Sequence, residues 1–301
     1  MDRIGLLARE LEQNNIAAQQ KIPLSQKCTF RIGGPADLFA EPKSGDEITT
    51  ALALAAKHGV PMLVLGAGSN ILFADEGYRG FILKLGVGFS RVWQESEAVI
   101  SCQSGAKLSE LCEFARQLGL AGLEFAYGIP GTVGGAVYMN AGAFGGEIAD
   151  VITGAQFISS DGKMTEYKAQ EMDFDYRRSF FMDMSGVITQ ASFNLTPGDP
   201  QEIRARMDDY MNRRRDKQPL EYPSAGSTFK RPPGNYASAL IDQCGLKGLR
   251  VGGAAVSEKH AGFVVNMGGA TCKDVLALIE QVKTQVSAQT GYKLECEVQV
   301  V

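Results

Sequence analysis

The sequence predicts an α+β protein assembled from two or three compact units, and three features carry that expectation. Its 301 residues exceed one typical domain of roughly 100–150 residues. Apolar stripes of helical spacing interrupt short apolar runs of strand character along the chain. Pro197-Gly198-Asp199-Pro200 breaks the pattern, because proline and glycine there can continue neither a helix nor a ladder. This is the best domain boundary in the sequence and sets off residues 200–301 from what precedes them.

The elements follow in order. Residues 1–20 predict an amphipathic helix and not a signal peptide, since Asp2, Glu10 and Glu12 are set among the apolar residues where a signal peptide has an unbroken apolar run. Residues 28–42 predict a strand, a Gly-Gly-Pro turn and a second strand. Asp46 opens a helix through Lys57 with Ile48, Leu52 and Ala55 on one face and Gly59 as its cap. Strands are expected at 62–66, 80–86 and 91–103, and a helix over Leu108–Leu118 capped by Gly119. A glycine-rich stretch fills 128–148, a hairpin turning at Asp161-Gly162 fills 151–167, and a strand fills 186–195. The last third reads as a charged helix over 201–217, a loop over 224–234 and a helix from Tyr236 to Cys244. Two strands follow within 251–266, then an amphipathic helix from Asp274 to Gln289 and a final strand over 292–301.

Composition excludes several classes. A formal charge of −4 argues against a general nucleic-acid or anionic-membrane binder. The six cysteines have no C-x-x-C spacing, and His58 and His260 are the only histidines, so no metal site is expected and free thiols in a reducing cytosol are. No run of about 18 apolar residues predicts a membrane span. Glycine is abundant, at 35 residues against a usual share of about 7%. Its clusters lie between apolar segments, as in a pocket lined by backbone.

Two of these clusters suit an anionic cofactor. Gly66, Ala67, Gly68, Ser69 and Asn70 follow a buried strand and read either as an N–H cradle for phosphate or as a tight turn. Ile71 stands where a dinucleotide fingerprint has its third glycine. Gly128, Ile129, Pro130, Gly131, Thr132, Gly134 and Gly135 form the second cluster, interleaved with apolar residues that need burial. Arg177 and Arg178 lie between Tyr176 and Phe180, and Ser224 and Ser227 lie in a loop. The last strand alternates Glu295, Glu297 and Gln299 with apolar residues. The run Arg213-Arg214-Arg215-Asp216-Lys217 reads either as a solvated helix end or as the cationic site of an anionic ligand.

These motifs, in this order, resemble one family. TFRIGGPAD (29–37), LGAGSN (65–70), GIPGTVGGAVYMNAGAFG (128–145), YRRSFF (176–181), SAGSTFKRP (224–232) and GLRVGGAAVSEKHAGFVVN (248–266) are together similar to UDP-N-acetylenolpyruvoylglucosamine reductase, also called UDP-N-acetylmuramate dehydrogenase. The resemblance runs from about residue 20 to the C-terminus. It implies an FAD-linked oxidase-type fold, with two FAD-binding lobes over 1–88 and 89–199 and a C-terminal α+β substrate-binding domain over 200–301. It implies FAD at the two glycine clusters, NADPH as co-substrate, and reduction of UDP-N-acetylglucosamine enolpyruvate for peptidoglycan precursor synthesis in the cytoplasm. Neither His58 nor His260 lies in a flavin motif, so the FAD is expected to be non-covalent.

The resemblance also implies roles. Arg177 and Glu297 would stabilise charge developing on the substrate, and Ser227 would deliver a proton. Lys217, Tyr176 and Lys230 would meet the substrate, with Lys217 also suited to an NADPH phosphate. The chain resembles the class without an inserted Tyr-bearing lid after Arg177, and it reads Glu-Val-Gln where the family usually has Glu-Val-Arg. A different FAD oxidoreductase of the same fold would need no serine proton donor. A non-catalytic nucleotide-binding protein would need none of the three catalytic residues.

Overall fold

A computed structural model describes residues 2–301. Its elements open with α1 (Arg3–Gln13), β1 (Ala18–Pro23), β2 (Pro35–Ala40), α2 (Gly45–Lys57), β3 (Met62–Leu65), β4 (Ile71–Leu72) and β5 (Tyr78–Lys84). Then come β6 (Val92–Gln94), β7 (Val99–Gln103), α3 (Leu108–Gln117), β8 (Leu120–Ala121), α4 (Val133–Tyr138), β9 (Gly142–Ala143) and β10 (Gly146–Glu147). Next are β11 (Ile152–Ser159), β12 (Met164–Lys168), β13 (Gly186–Asn194), β14 (Thr196–Pro197) and α5 (Pro200–Lys217). The chain ends with α6 (Ala237–Gln243), β15 (Arg250–Val251), β16 (Ala254–Val256), β17 (Val264–Asn266), α7 (Cys272–Thr290) and β18 (Gln299–Val300).

These elements form two compact units, each made of separate stretches of chain. Met1–Lys21, Asp37–Ala67 and Arg79–Arg213 make the first, and Ile22–Ala36, Gly68–Tyr78 and Arg214–Val301 the second.

The first unit holds two sheets. In one, the order is β1-β2-β5-β3, and β3 runs parallel to β5 with Leu63 opposite Ile82. Phe81, Ile82 and Leu83 are all fully buried, as expected of a central strand covered on both faces. Leu7 and Leu11 of α1 join Ile48, Ala51, Leu52 and Ala55 of α2 in the core beside this sheet. Each large aliphatic side chain so buried contributes about 1.5–3 kcal/mol. The second sheet is antiparallel in the order β12-β11-β13-β7-β6. Its core combines Ile100, Phe157 and Phe193 with Leu108 and Leu111 of α3 and Val133 and Val137 of α4.

The second unit is built around α7 and the antiparallel sheet β15-β16-β17. The expected stripe Val275, Leu278, Ile279 and Val282 is buried, extended by Cys272 and Val286. Hydrogen bonds bind the early stretches to the late ones. β18 pairs in parallel with β4, placing Gln299 opposite Ile71. The buried Asn266 side chain donates to the Phe30 carbonyl (3.2 Å) and accepts from Gly268 and Ala270 N–H groups. The Asp75 carboxylate accepts from the N–H groups of Cys272 (2.7 Å) and Lys273 (3.1 Å) at the start of α7.

Several elements differ from expectation. The first helix stops at Gln13, where Asn15 takes a φ of 59°, a left-handed state that asparagine tolerates. Residues 18–20, expected to be helical, begin β1 instead. Only Pro35–Ala40 is strand within 28–42. The single strand expected over 91–103 is a hairpin, with Trp93 opposite Ser101, because the polar tip 95–98 turns. The glycine-rich stretch contains α4 and the β9–β10 hairpin. The last strand is reduced to Gln299–Val300 and one bridge, Cys296 to Phe229. Its apolar face is split as well: Leu294 and Val298 are buried while Val300 is exposed.

Asp75 holds two N–H groups that have no partner inside α7 and places negative charge at the positive end of its dipole. Asp75→Ala is expected to destabilise the second unit by about 1–2 kcal/mol. Faster amide hydrogen exchange along the first turns of α7 would report the loss.

Candidate active site

The first unit contains a cleft of about 360 Å³. Gly66 and Ala67 line it together with Ile129, Pro130, Gly131 and Thr132, so part of each glycine cluster meets here. A Cβ on Gly66 would collide with Thr132 Oγ1, and only glycine permits that approach. Gly105 lines the cleft too, and a Cβ there would run into the carbonyls of Phe89 and Gly86. Gly128, Gly134 and Gly135 lie outside the lining; Gly134 is packed against Ser104.

No sequence motif marks the other walls. The 86–90 segment supplies Gly86, Val87 and Ser90, and Lys84 and Lys107 bring cations. Each lysine has a carboxylate within reach: Lys84 faces Glu41 at 3.8 Å and Lys107 faces Glu110 at 3.3 Å. A wall of close-packed backbone, two ammonium groups and the apolar Leu85, Val87 and Ile129 fits a dinucleotide, whose phosphates seek N–H groups and cations while its ring seeks apolar cover.

Gly68, Ser69 and Asn70 belong to the second unit. A Cβ on Gly68 would strike the Lys27 carbonyl. The Asn70 side chain donates to the Glu297 carbonyl at 3.2 Å, and the Asn70 carbonyl accepts from the Gln299 N–H at 3.1 Å. In this structure Asn70 braces the C-terminal segment.

Arg177 sits in the first unit on a four-residue turn, Asp175 to Arg178, closed by Arg178 N–H to the Asp175 carbonyl at 3.0 Å. Its φ is 56°, which an arginine rarely adopts and which clusters at functional sites. Its Nη2 donates to the Gly142 carbonyl at 2.9 Å. Its guanidinium lies 5.0 Å from the centre of the exposed Tyr176 ring, a cation–π distance.

The second unit holds the other two predicted catalytic residues on hydrogen-bonded segments. Glu297 N–H donates to the Thr228 carbonyl at 2.9 Å, and Lys230 N–H donates to the Glu295 carbonyl at 2.9 Å. This register sets half-buried Ser227 beside the C-terminal segment that carries half-buried Glu297. The loop is pinned elsewhere too. Thr29 Oγ1 donates to the Ser224 carbonyl at 2.6 Å, Thr228 N–H donates to Gly262 at 2.8 Å, and Thr228 Oγ1 accepts from Val264 N–H at 3.0 Å. Glu295, by contrast, has a side chain 77% exposed and an ion pair to Lys230 at 3.7 Å.

The basic run divides. Lys217 and Arg215 are exposed. Arg213, in the first unit, covers Phe144 at 5.0 Å, and that ring stacks on Tyr210 at 4.4 Å. Arg214 is only 7% exposed, and burial lowers its guanidinium to about 10. A solvated helix end therefore does not describe this residue. The helix-wide charge pattern hid it, because burial is set by what packs over α5. Among the described residues there is no cluster of three or more His, Cys, Asp or Glu side chains able to hold a metal ion, all six cysteines are free, and no helix is long and apolar enough to cross a membrane.

A profile of the FAD binding domain matches residues 36–168. Berberine bridge enzyme shares the fold, with a TM-score of 0.50 and 16% identity over 66% of this chain and 45% of that one. The class is thus that of flavoproteins with an FAD-linked oxidase-type fold. Residues 218–301 match the C-terminal domain of UDP-N-acetylenolpyruvoylglucosamine reductase. The reductase of that name from Syntrophomonas wolfei is 45% identical over 93% of each chain. The crystal structure of UDP-N-acetylenolpyruvylglucosamine reductase from Thermus caldophilus matches with a TM-score of 0.82 and 35% identity, over 95% of this chain and 99% of that one. This chain belongs to the UDP-N-acetylenolpyruvoylglucosamine reductase family, FAD-dependent oxidoreductases of peptidoglycan precursor synthesis.

One titrating group lies close to the Ser227 loop. His260 Nδ1 accepts the Gly262 N–H at 3.2 Å, and the Gly262 carbonyl holds Thr228. Burial lowers the His260 pKa below its ordinary 6.5, with the Lys247 charge adding to the shift. The folded state thus favours neutral imidazole, and the unfolded chain binds the proton more readily. Stability from this residue is complete above pH 6.5 and is lost as pH falls below 6.5 toward the lowered folded value. Urea unfolding between about pH 7.5 and pH 5.5 should show this loss in the wild type and a shallower one in His260→Gln.

Proposed function

We propose that this chain reduces the enolpyruvyl group of UDP-N-acetylglucosamine enolpyruvate to UDP-N-acetylmuramate with NADPH as the electron source, in the cytoplasm. One observation carries most weight for the residue roles: the segments bearing Ser227 and Glu297 are hydrogen-bonded to each other through Thr228 and Glu297. Residues lining the cleft, Gly66, Ala67 and Ile129 to Thr132 with Lys84 and Lys107, would hold FAD. FAD, when bound, supplies the two-electron hydride chemistry that the protein side chains lack.

The protein's share is binding, orientation and proton delivery. Lys217, exposed at the end of α5, binds a phosphate of the UDP-sugar. Lys230 and Tyr176 give further polar contact to substrate. Arg177 stabilises the negative charge that develops toward the substrate carboxylate as its double bond is reduced. Glu297, as a neutral acid, shares that role, since an ionised carboxylate would repel the charge. Ser227 delivers a proton to the neighbouring carbon. A serine hydroxyl is a weak acid, so it acts on a strongly basic carbon.

Anaerobic stopped-flow absorbance in the flavin band tests this reading. NADPH should bleach the band and the enolpyruvyl substrate should restore it; bleaching without that recovery would point to another acceptor. In Ser227→Ala, reduction by NADPH should stay near wild type while reoxidation by substrate falls about 10²–10⁴-fold. Equal loss in both half-reactions would remove the proton-donor role. Lys217→Ala should raise the KM for the UDP-sugar about tenfold with little change in kcat, and an unchanged KM would return Lys217 to a solvated surface role.

A further inference from the structure

We infer that Asn140 is a positioning residue for Arg177: its buried side chain clamps the turn on which Arg177 stands. The inference rests on the charge-stabilising role proposed for Arg177.

Arginine does not choose a φ of 56° by itself, because its Cβ crowds the following carbonyl in the left-handed region. The surroundings must impose that conformation. Asn140 is fully buried and uses both ends of its amide. Oδ1 accepts from Ala149 N–H at 3.0 Å, and Nδ2 donates to the Asp175 carbonyl at 3.1 Å. That carbonyl also accepts the Arg178 N–H that closes the turn, so the clamp acts on the atom that defines the turn.

Asn140 itself has a φ of 45°, a state that asparagine tolerates better than most residues. The same short stretch of chain makes two more bonds to the arginine segment. Fully buried Ser179 donates from Oγ to the Tyr138 carbonyl at 2.6 Å, and Arg177 Nη2 donates to the Gly142 carbonyl. Residues 138–142 thus hold the turn at its start, just beyond its end, and at the guanidinium. A guanidinium that stabilises transition-state charge is effective when fixed beforehand.

Asn140→Gly keeps backbone freedom at this φ and removes both side-chain bonds. It should slow flavin reoxidation by the enolpyruvyl substrate about 10–100-fold while NADPH reduction and bound flavin stay near wild type. Added to Arg177→Ala, it should cause no further loss, because both changes act through one guanidinium. A crystal structure of the variant should show the 175–178 turn displaced.

Other results would count against the inference. A reoxidation rate within about twofold of wild type, with Arg177→Ala slow, overturns the clamp and leaves the Arg177 role standing. Equal slowing of both half-reactions, or losses that multiply in the double variant, also overturns it. An unmoved turn does the same. If Arg177→Ala reoxidises at the wild-type rate, the Arg177 role itself falls, and the inference with it. Should Asn140→Gly fail to retain flavin, Ser179→Ala decides by the same rates, with slow reoxidation alone expected and a wild-type rate overturning the clamp.

Discussion

The close approach of segments at Gly66 and Gly105, to the Thr132 side chain at the first and to the Phe89 and Gly86 carbonyls at the second, is the constraint on which the cleft of the first unit depends. At both positions a single added carbon would overlap a neighbouring oxygen, so the two cleft-lining segments meet only because these residues lack a side chain. Leu65 ahead of Gly66 and Val133 after Thr132 are buried. The core therefore anchors each segment on one side, and the glycines let its peptide groups come forward. Burial provides rigidity, and the missing Cβ atoms provide access.

The second unit solves a different problem. Its core is assembled from stretches far apart in the chain, and closing such long loops costs entropy that later contacts must offset. The contacts that do so are directional: Asn266 to Phe30, Asp75 to the start of α7, and β4 beside β18. Within this frame Thr228 and Asn70 hold the backbone of Glu297 from its N–H and its carbonyl. The charge-stabilising role proposed for Glu297 would gain from such immobility, since reorientation during reaction would add to the barrier.

Much of the fold was readable from local pattern. The α2 face, the α7 stripe and the hairpin turning at Gly162, which has a φ of 83°, appear as expected, because periodicity and turn chemistry are properties of neighbouring residues. The reading failed where neighbours do not decide. Residues 91–103 alternate like one strand, yet the chain turns back at 95–98 and pairs with itself. Arg214 sits in a run of charges and is buried. Nor does local pattern show that the Asn70 side chain bonds the far end of the chain.

By itself the sequence determined the classes of chemistry available: backbone-lined turns for an anionic cofactor, an arginine, a serine and a glutamate in distinct motifs, and no cysteine or histidine pattern for a metal. Only the tertiary structure decided which of the cluster glycines face the cleft and that Asn140 holds the turn of Arg177. Only the fold, likewise, hydrogen-bonds the Ser227 loop to the segment of Glu297. The reason is physical: a motif specifies what a segment can do with its own atoms, while burial, register and hydrogen-bond partners are set by residues that meet only when distant parts of the chain close on each other.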